Sequence, residues 1–153
     1  MKIAVGSDHA GYELKEKIAE HLKNQDLTVE DYGTNGNNSV DYPDFAMTVA
    51  EAVSQGRIDR GILICGTGIG MSIAANKFPH VRAALCYDVY SAEMSRRHNN
   101  ANILVLAGRV LKIGLAINMV DVWLKTEFEG GRHKSRIDKI GKIEKKFMKG
   151  EKK

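Results

Sequence analysis

The stretch GILICGTGIG, residues 61–70, decides how the rest of the chain is read. Ile62, Leu63 and Ile64 form a short apolar run that ends in Cys65, and glycines follow at every second position, Gly66, Gly68 and Gly70. A short apolar run closed by turn residues is the pattern of a strand buried on both faces, and the glycines lead into a helical stretch over 68–76. Four similar runs flank it: KIAVGS (2–7), LTVEDY (27–32), RAALCY (82–87) and NILVLA (102–107). Helical segments separate them, at 10–23 with Leu14, Ile18 and Leu22 four apart, at 44–54 and at 92–98. Strands alternating with helices predict an α/β fold: a doubly wound five-stranded parallel sheet with helices on both faces, a Rossmann-like three-layer sandwich. In such a sheet ligands bind outside the carboxyl ends of the strands, so the loop that begins at Cys65 is the first place to look for chemistry.

Composition bounds the rest. A chain of 153 residues, 43% hydrophobic and 27% charged, suits one domain with its own core, expected over 1–147, with a basic tail at 148–153. No apolar run approaches the roughly 18 residues that a transmembrane helix needs, and MKIAVGSDH lacks the layout of a signal peptide. Two cysteines, Cys65 and Cys86, are too few for a disulfide framework, so a reducing, cytoplasmic setting and no membrane partner are expected. The net charge of +4 is uneven: residues 132–153 carry ten Lys/Arg against three Asp/Glu, and the body is slightly acidic. That tail has one aromatic residue, Phe147, and no recognition motif, so it reads as a solvated helix and no nucleic-acid partner is expected.

The segment 110–127 is unusually apolar. Eleven of the fifteen residues 110–124 are apolar, while Gly114, Asn118, Asp121 and Lys125 form only a narrow stripe. A helix of this kind must be covered around most of its circumference, which one face of a small sheet cannot do. A partner subunit is therefore expected to cover it. The stretch EGGRHKSR (129–136) reads as a turn ahead of a charged terminal helix.

Three polar clusters could carry chemistry. Ser7-Asp8-His9 closes the first strand, where Ser7 or Asp8 could simply cap the following helix. At Cys65–Gly70 the glycine spacing excludes a dinucleotide fingerprint, a P-loop and a cysteine-phosphatase loop, since Met71-Ser72 stands where the glycine, lysine or arginine would be needed. What remains is a nest of backbone N–H groups at a helix N-terminus, with the Thr67 hydroxyl beside it, suited to an oxyanion or phosphate. A thiol there should gain thiolate character, yet local features leave a reactive and a packed Cys65 equally open; Cys86, in an apolar run, reads as a packed thiol. The third cluster, Ser95 to Asn100, could be a helix C-terminus where cations and asparagine suit the dipole, or could present His98 as an acid or base near neutral pH. Arg109, Arg132 and Arg136 are possible anion clamps, the last two on one face if helical. No His/Cys/Asp/Glu group has metal-ligand spacing, so metal-free chemistry is expected.

Taken together, GSDHAG (6–11), DYP (41–43), GILICGTGIGMSIAANK (61–77), SRRHNNAN (95–102) and EGGRHKSR (129–136) resemble the type B ribose-5-phosphate isomerases, a family that includes allose-6-phosphate and galactose-6-phosphate isomerases. The motifs follow in order over nearly the whole chain. The resemblance implies interconversion of ribose 5-phosphate and ribulose 5-phosphate, without metal or cofactor, in a homodimer or tetramer whose sites lie at the subunit interface. It also implies roles. Cys65 is the base that moves a proton between C2 and C1, with Thr67 bonded to it, and the amides of Gly66, Gly68, Ile69 and Gly70 hold the enediolate. His98, helped by Asp8, opens the sugar ring, and Asn99 holds a sugar oxygen. His9, Arg109, Arg132 and Arg136 clamp the phosphate, and Tyr42 lines the sugar pocket. One branch of the family has serine in place of this cysteine and a glutamate four positions later; here that position is Ile69, which places the chain with the cysteine branch. Two alternatives remain: a hexose 6-phosphate isomerase, and a non-catalytic module that binds sugar phosphates or nucleotides.

Overall fold

In the computed structural model, which describes residues 1–25 and 27–147, the five apolar runs become five parallel strands. They are β1 (Lys2–Ser7), β2 (Thr28–Asp31), β3 (Arg60–Cys65), β4 (Ala83–Leu85) and β5 (Ile103–Ala107). The helices are α1 (Tyr12–Lys23), α2 (Tyr42–Ser54), α3 (Ile69–Ala75), α4 (Val89–Arg97), α5 (Ile113–Lys125) and α6 (Gly131–Phe147), with a single 3₁₀ turn at His9–Gly11 ahead of α1. Every strand lies within two residues of the run that predicts it. The basic tail at 148–153 lies outside the described residues.

The sheet order is β2-β1-β3-β5-β4, so the chain winds outward from β1 to β2 and then crosses back to start the other half at β3. That reversal opens a crevice between the carboxyl ends of β1 and β3, the place where such sheets bind ligands. Two cores form because alternate side chains point to opposite faces of each strand. Ile3, Val5, Ile62, Ile64, Leu104 and Leu106 pack against α1, α4 and α5. Ala4, Leu63, Cys65, Ile103 and Val105 pack against α2 and α3. The three-layer sandwich expected from the alternation is therefore the fold. No helix among the described residues is long and apolar enough to cross a membrane.

Three local expectations change. The apolar segment 110–127 is helical only over Ile113–Lys125, and it buries one face, through Ala116, Met119, Val120, Trp123 and Leu124. Val110, just ahead of the helix, and Ile113 and Leu115 in its first turn stay exposed, at 61%, 47% and 38%. The presumed turn EGGRHKSR is mostly helix: α6 starts at Gly131, after Gly130 and Gly131 adopt positive φ of 69° and 53°. Helix α4 starts at Val89 rather than at residue 92, because the Asp88 carboxylate accepts the Ser91 N–H at 2.6 Å and caps it.

Candidate active site

Cys65 is the last residue of β3, between Ser7 at the end of β1 and Ala107 at the end of β5. Its side chain is 5% exposed. The turn that follows is fixed by Gly68, which caps α3 with φ of 80°, a left-handed conformation that costs an L-residue about 1–2 kcal/mol. In that conformation the Gly68 N–H donates to Cys65 Sγ at 3.2 Å. Thr67 is exposed beside it, its hydroxyl accepting the Ile69 N–H at 3.3 Å while its carbonyl accepts the Tyr87 hydroxyl at 2.8 Å. Two of the expected loop donors are thus used within the loop, Gly68 on sulfur and Ile69 on Thr67. The amides of Gly66, Thr67 and Gly70 are the remaining candidates to face a developing oxyanion.

The neighbouring carboxyl-end loops close on this turn. Asp8 Oδ1 accepts the N–H groups of Ala10 and Gly11 at 3.0 and 3.1 Å. It therefore caps the turn at His9–Gly11, while the other oxygen stays available to a ligand. His9 Nδ1 accepts the Val40 N–H at 3.2 Å, so the neutral ring carries its proton on Nε2 as a free donor. Tyr42, at the start of α2, lies flat against the glycine turn: a Cβ on Gly70 would sit 2.4 Å from its ring. Arg109 follows β5, its guanidinium 3.6 Å from where a Gly66 Cβ would be. Asp8, His9, Tyr42, Arg109 and the loop 65–70 therefore form one cluster.

His98, Asn99, Arg132 and Arg136 form another, at the opposite end of the sheet. Helix α4 returns from the top of β4 to the bottom of β5, which leaves its C-cap, His98, at the amino ends of the strands. Arg82, the residue before β4, confirms the level, since its Nε donates to the carbonyls of Asn99 and Asn100 at 3.1 and 3.0 Å. The six residues of β3 span about 17–20 Å at about 3.3 Å each, and that length separates His98 from Cys65 within one chain.

Around His98 the structure assembles residues that sequence reasoning passed over. The His133 ring stacks on it with centroids 4.1 Å apart and planes 9° from parallel. Glu129 Oε2 lies 3.8 Å from His98 Nε2 and 3.4 Å from His133 Nε2, while Arg97 Nε donates to Oε1 at 2.6 Å. The Arg97 hydrogen bond is the main reason the Glu129 carboxyl lies below its usual pKa. Burial, then the neighbouring His98 and Arg132, push the His133 imidazole below its usual value. His98, Glu129 and His133, which have no metal-ligand spacing in the sequence, place their side-chain ligand atoms within 4.8 Å of one another. Glu129 precedes α6, in the loop that ends at Gly130 and Gly131 with their positive φ, and that loop brings its carboxylate to His133 in the first turn of the helix. Cys86 is buried among apolar side chains, and burial raises its pKa, as expected of a packed thiol.

A thiol held by an amide at the switch point of a parallel sheet, with a carboxylate, an imidazole and a guanidinium around it, is the equipment of a proton-transfer enzyme acting on a small anionic molecule. The chain belongs to the Ribose/Galactose Isomerase family, which it matches over residues 3–140, and is accordingly an aldose–ketose isomerase. It is 50% identical over 143 residues to ribose-5-phosphate isomerase B of Escherichia coli, covering 94% of this chain and 96% of that one. Among solved structures, ribose-5-phosphate isomerase B of Clostridium thermocellum superposes with a TM-score of 0.95 at 61% identity, covering 96% of this chain and 99% of that one. The Mycoplasma genitalium ribose-5-phosphate isomerase B, solved with bound ribulose-5-phosphate, gives 0.91 at 48% identity, covering 94% and 96%.

Proposed function

We propose that this chain interconverts ribose 5-phosphate and ribulose 5-phosphate in the cytoplasm, as a symmetric dimer in which each site joins the Cys65 cluster of one subunit to the His98 cluster of the other. The observation that carries it is the division of the site residues between the two ends of one sheet. Ring opening and proton transfer act on adjacent carbons of one small sugar, so groups about 17–20 Å apart in a chain cannot serve one substrate molecule unaided. A two-fold axis brings the amino-end cluster of one copy to the carboxyl-end cluster of the other, and does so twice. The exposed apolar side chains of Val110, Ile113 and Leu115 are suited to that contact.

In this reading His98 of the partner subunit protonates the ring oxygen as Asp8 Oδ2 takes the anomeric hydroxyl proton, giving the open-chain aldehyde. The Cys65 thiolate then removes the C2 proton. The charge passes to O1, where the remaining loop amides stabilise the enediolate by about 3–4 kcal/mol per donor. Cys65 returns the proton to C1, with a proton moving from O2 to O1, and the ketose forms. His9 Nε2–H and the arginines hold the phosphate, and Tyr42 and Asn99 line the sugar. No residue in this scheme needs a metal or cofactor.

Subunit mixing tests the arrangement. Cys65→Ala and His98→Asn chains are each expected to lose ribose 5-phosphate turnover in a coupled assay. Co-refolded, they should recover activity, because every mixed dimer then holds one site with both residues intact. Recovery no greater than the sum of the parents would refute the shared site. Allose 6-phosphate and galactose 6-phosphate serve as substrates in parallel, and a higher kcat/KM on either reassigns the sugar.

A further inference from the structure

We propose that Tyr87 is a positioning residue for the isomerisation: its hydroxyl sets the orientation of the Thr67–Gly68 peptide, and through that peptide it aims the Gly68 N–H at Cys65 Sγ. The two hydrogen bonds that carry this role belong to one planar unit. The Gly68 N–H donates to the sulfur at 3.2 Å, and the Thr67 carbonyl, the other polar end of the same peptide, accepts the Tyr87 hydroxyl at 2.8 Å. The peptide is trans, so its N–H and C=O point in opposite directions and turn together. Whatever holds the carbonyl therefore holds the direction of the N–H.

The loop supplies little hold of its own. Gly68, at φ 80° and ψ −15°, has no side chain to resist a tilt of the peptide before it. Its carbonyl accepts the Ser72 N–H at 3.0 Å, which ties the following peptide, not the preceding one, to α3. The Thr67 hydroxyl is engaged with the Ile69 N–H. Tyr87, by contrast, stands on fixed backbone. Just before it, the Cys86 N–H donates to the Val105 carbonyl at 3.1 Å and continues the pairing of β4 with β5; just after it, Asp88 caps α4. Leu85 and Tyr87 are two apart and so face the same side of the strand. Leu85 Cδ1 would stand 2.4 Å from a Cβ on Gly68, so it fills the space beside that glycine. The end of β4 thus supports the turn twice, by packing against Gly68 and by a hydrogen bond to Thr67.

The effect on turnover rests on the role proposed for Cys65, whereas the effect on the turn does not. Tyr87→Phe removes the hydroxyl and keeps the ring, and circular dichroism checks that the full chain folds. Its kcat on ribose 5-phosphate is expected to fall about two- to tenfold, the loss of one hydrogen bond. KM should hold, because His9 and the arginines proposed to grip the phosphate are untouched. Glycine labelled with ¹⁵N reads the turn directly. The Gly68 amide resonance, identified by its absence from Gly68→Ala, should move upfield in Tyr87→Phe as its bond to sulfur lengthens. A Gly68 resonance that stays in place refutes the positioning role. So does parental kcat in Tyr87→Phe beside an inactive Cys65→Ala, or a raised KM at parental kcat, which would make Tyr87 a substrate contact instead. Full turnover in Cys65→Ala refutes the reading of Cys65 as the base, and the kinetic role of Tyr87 with it.

Discussion

Replacing Gly68 by alanine probes fold and chemistry through one methyl group. Gly68 holds φ of 80°, and a Cβ there would stand 2.4 Å from Leu85 Cδ1 and 3.2 Å from the Leu106 carbonyl oxygen. Leaving the left-handed conformation is barred by the Cys65–Gly68 hydrogen bond and by the helix that starts at Ile69. The conformational term is about 1–2 kcal/mol and the overpacking term about 1–3 kcal/mol, for a loss of about 2–5 kcal/mol. For a chain of this size that lowers the melting temperature by about 5–15 °C. The same strain tilts the N–H away from Cys65 Sγ, now 3.2 Å distant. In the proposed mechanism this N–H faces the sulfur that takes the C2 proton, and losing a hydrogen bond to that charged group, about 1.5–3 kcal/mol, should lower kcat about 10- to 100-fold. Thermal melts at fixed protein concentration and a coupled isomerase assay read the two effects. Gly141→Ala is the control, since its Cβ meets open space in α6 and alanine favours the helix by up to about 1 kcal/mol. A Gly68→Ala enzyme that melts with the parent and keeps its kcat would refute the assignment of Gly68 as the residue that fixes the turn and aims its N–H at Cys65 Sγ.

Other consequences are open to simpler measurements. Trp123 is fully buried in α5 with the guanidinium carbons of Arg60 and Arg96 at 5.5 and 5.8 Å from its ring centroid. Trp123→Ala should cost about 3–5 kcal/mol in urea titrations, and Trp123→Phe much less because the indole N–H has no partner to lose. The Glu129 carboxyl has a folded pKa below its ordinary 4.5, chiefly through the Arg97 hydrogen bond. Its contribution to stability is therefore complete above the ordinary value and lost as pH falls through the lower folded one. Acid melts of Glu129→Gln should show a shallower decline below about pH 4.5, and an unchanged slope would show that the pairing carries no stability.

Much of the fold is legible because its strands are buried on both faces. Such strands must be continuous apolar runs, and β1, β3 and β5 read as KIAVGS (2–7), GILICG (61–66) and NILVLA (102–107), each within one residue of the strand it forms. Boundaries set by a single hydrogen bond were harder. The Asp88 cap of α4 is visible in the sequence only as an aspartate three residues before a serine, a weak pattern beside the apolar one. The start of α6 is hidden because Gly130, Gly131 and Ser135 have turn composition, and the approach of Glu129 to His133 depends on the positive φ of the two glycines between them. The apolar excess of 110–124 exceeds what the buried face of α5 uses, and Val110, Ile113 and Leu115 stay exposed in the single chain.

By itself the sequence determined the parallel α/β sandwich, the cysteine at the end of the central strand and the glycine turn beyond it. These are local matters of hydrophobic patterning and backbone freedom, carried by neighbouring residues. Only the tertiary structure decided which polar residues meet. The winding order sends Asp8, His9, Tyr42 and Arg109 to Cys65, and it sends His98 with Glu129, His133 and the paired arginines to the other end of the sheet. That sorting follows from the direction of each crossover, because a helix that returns beneath a parallel sheet must deliver its last residues a full strand length from where it began.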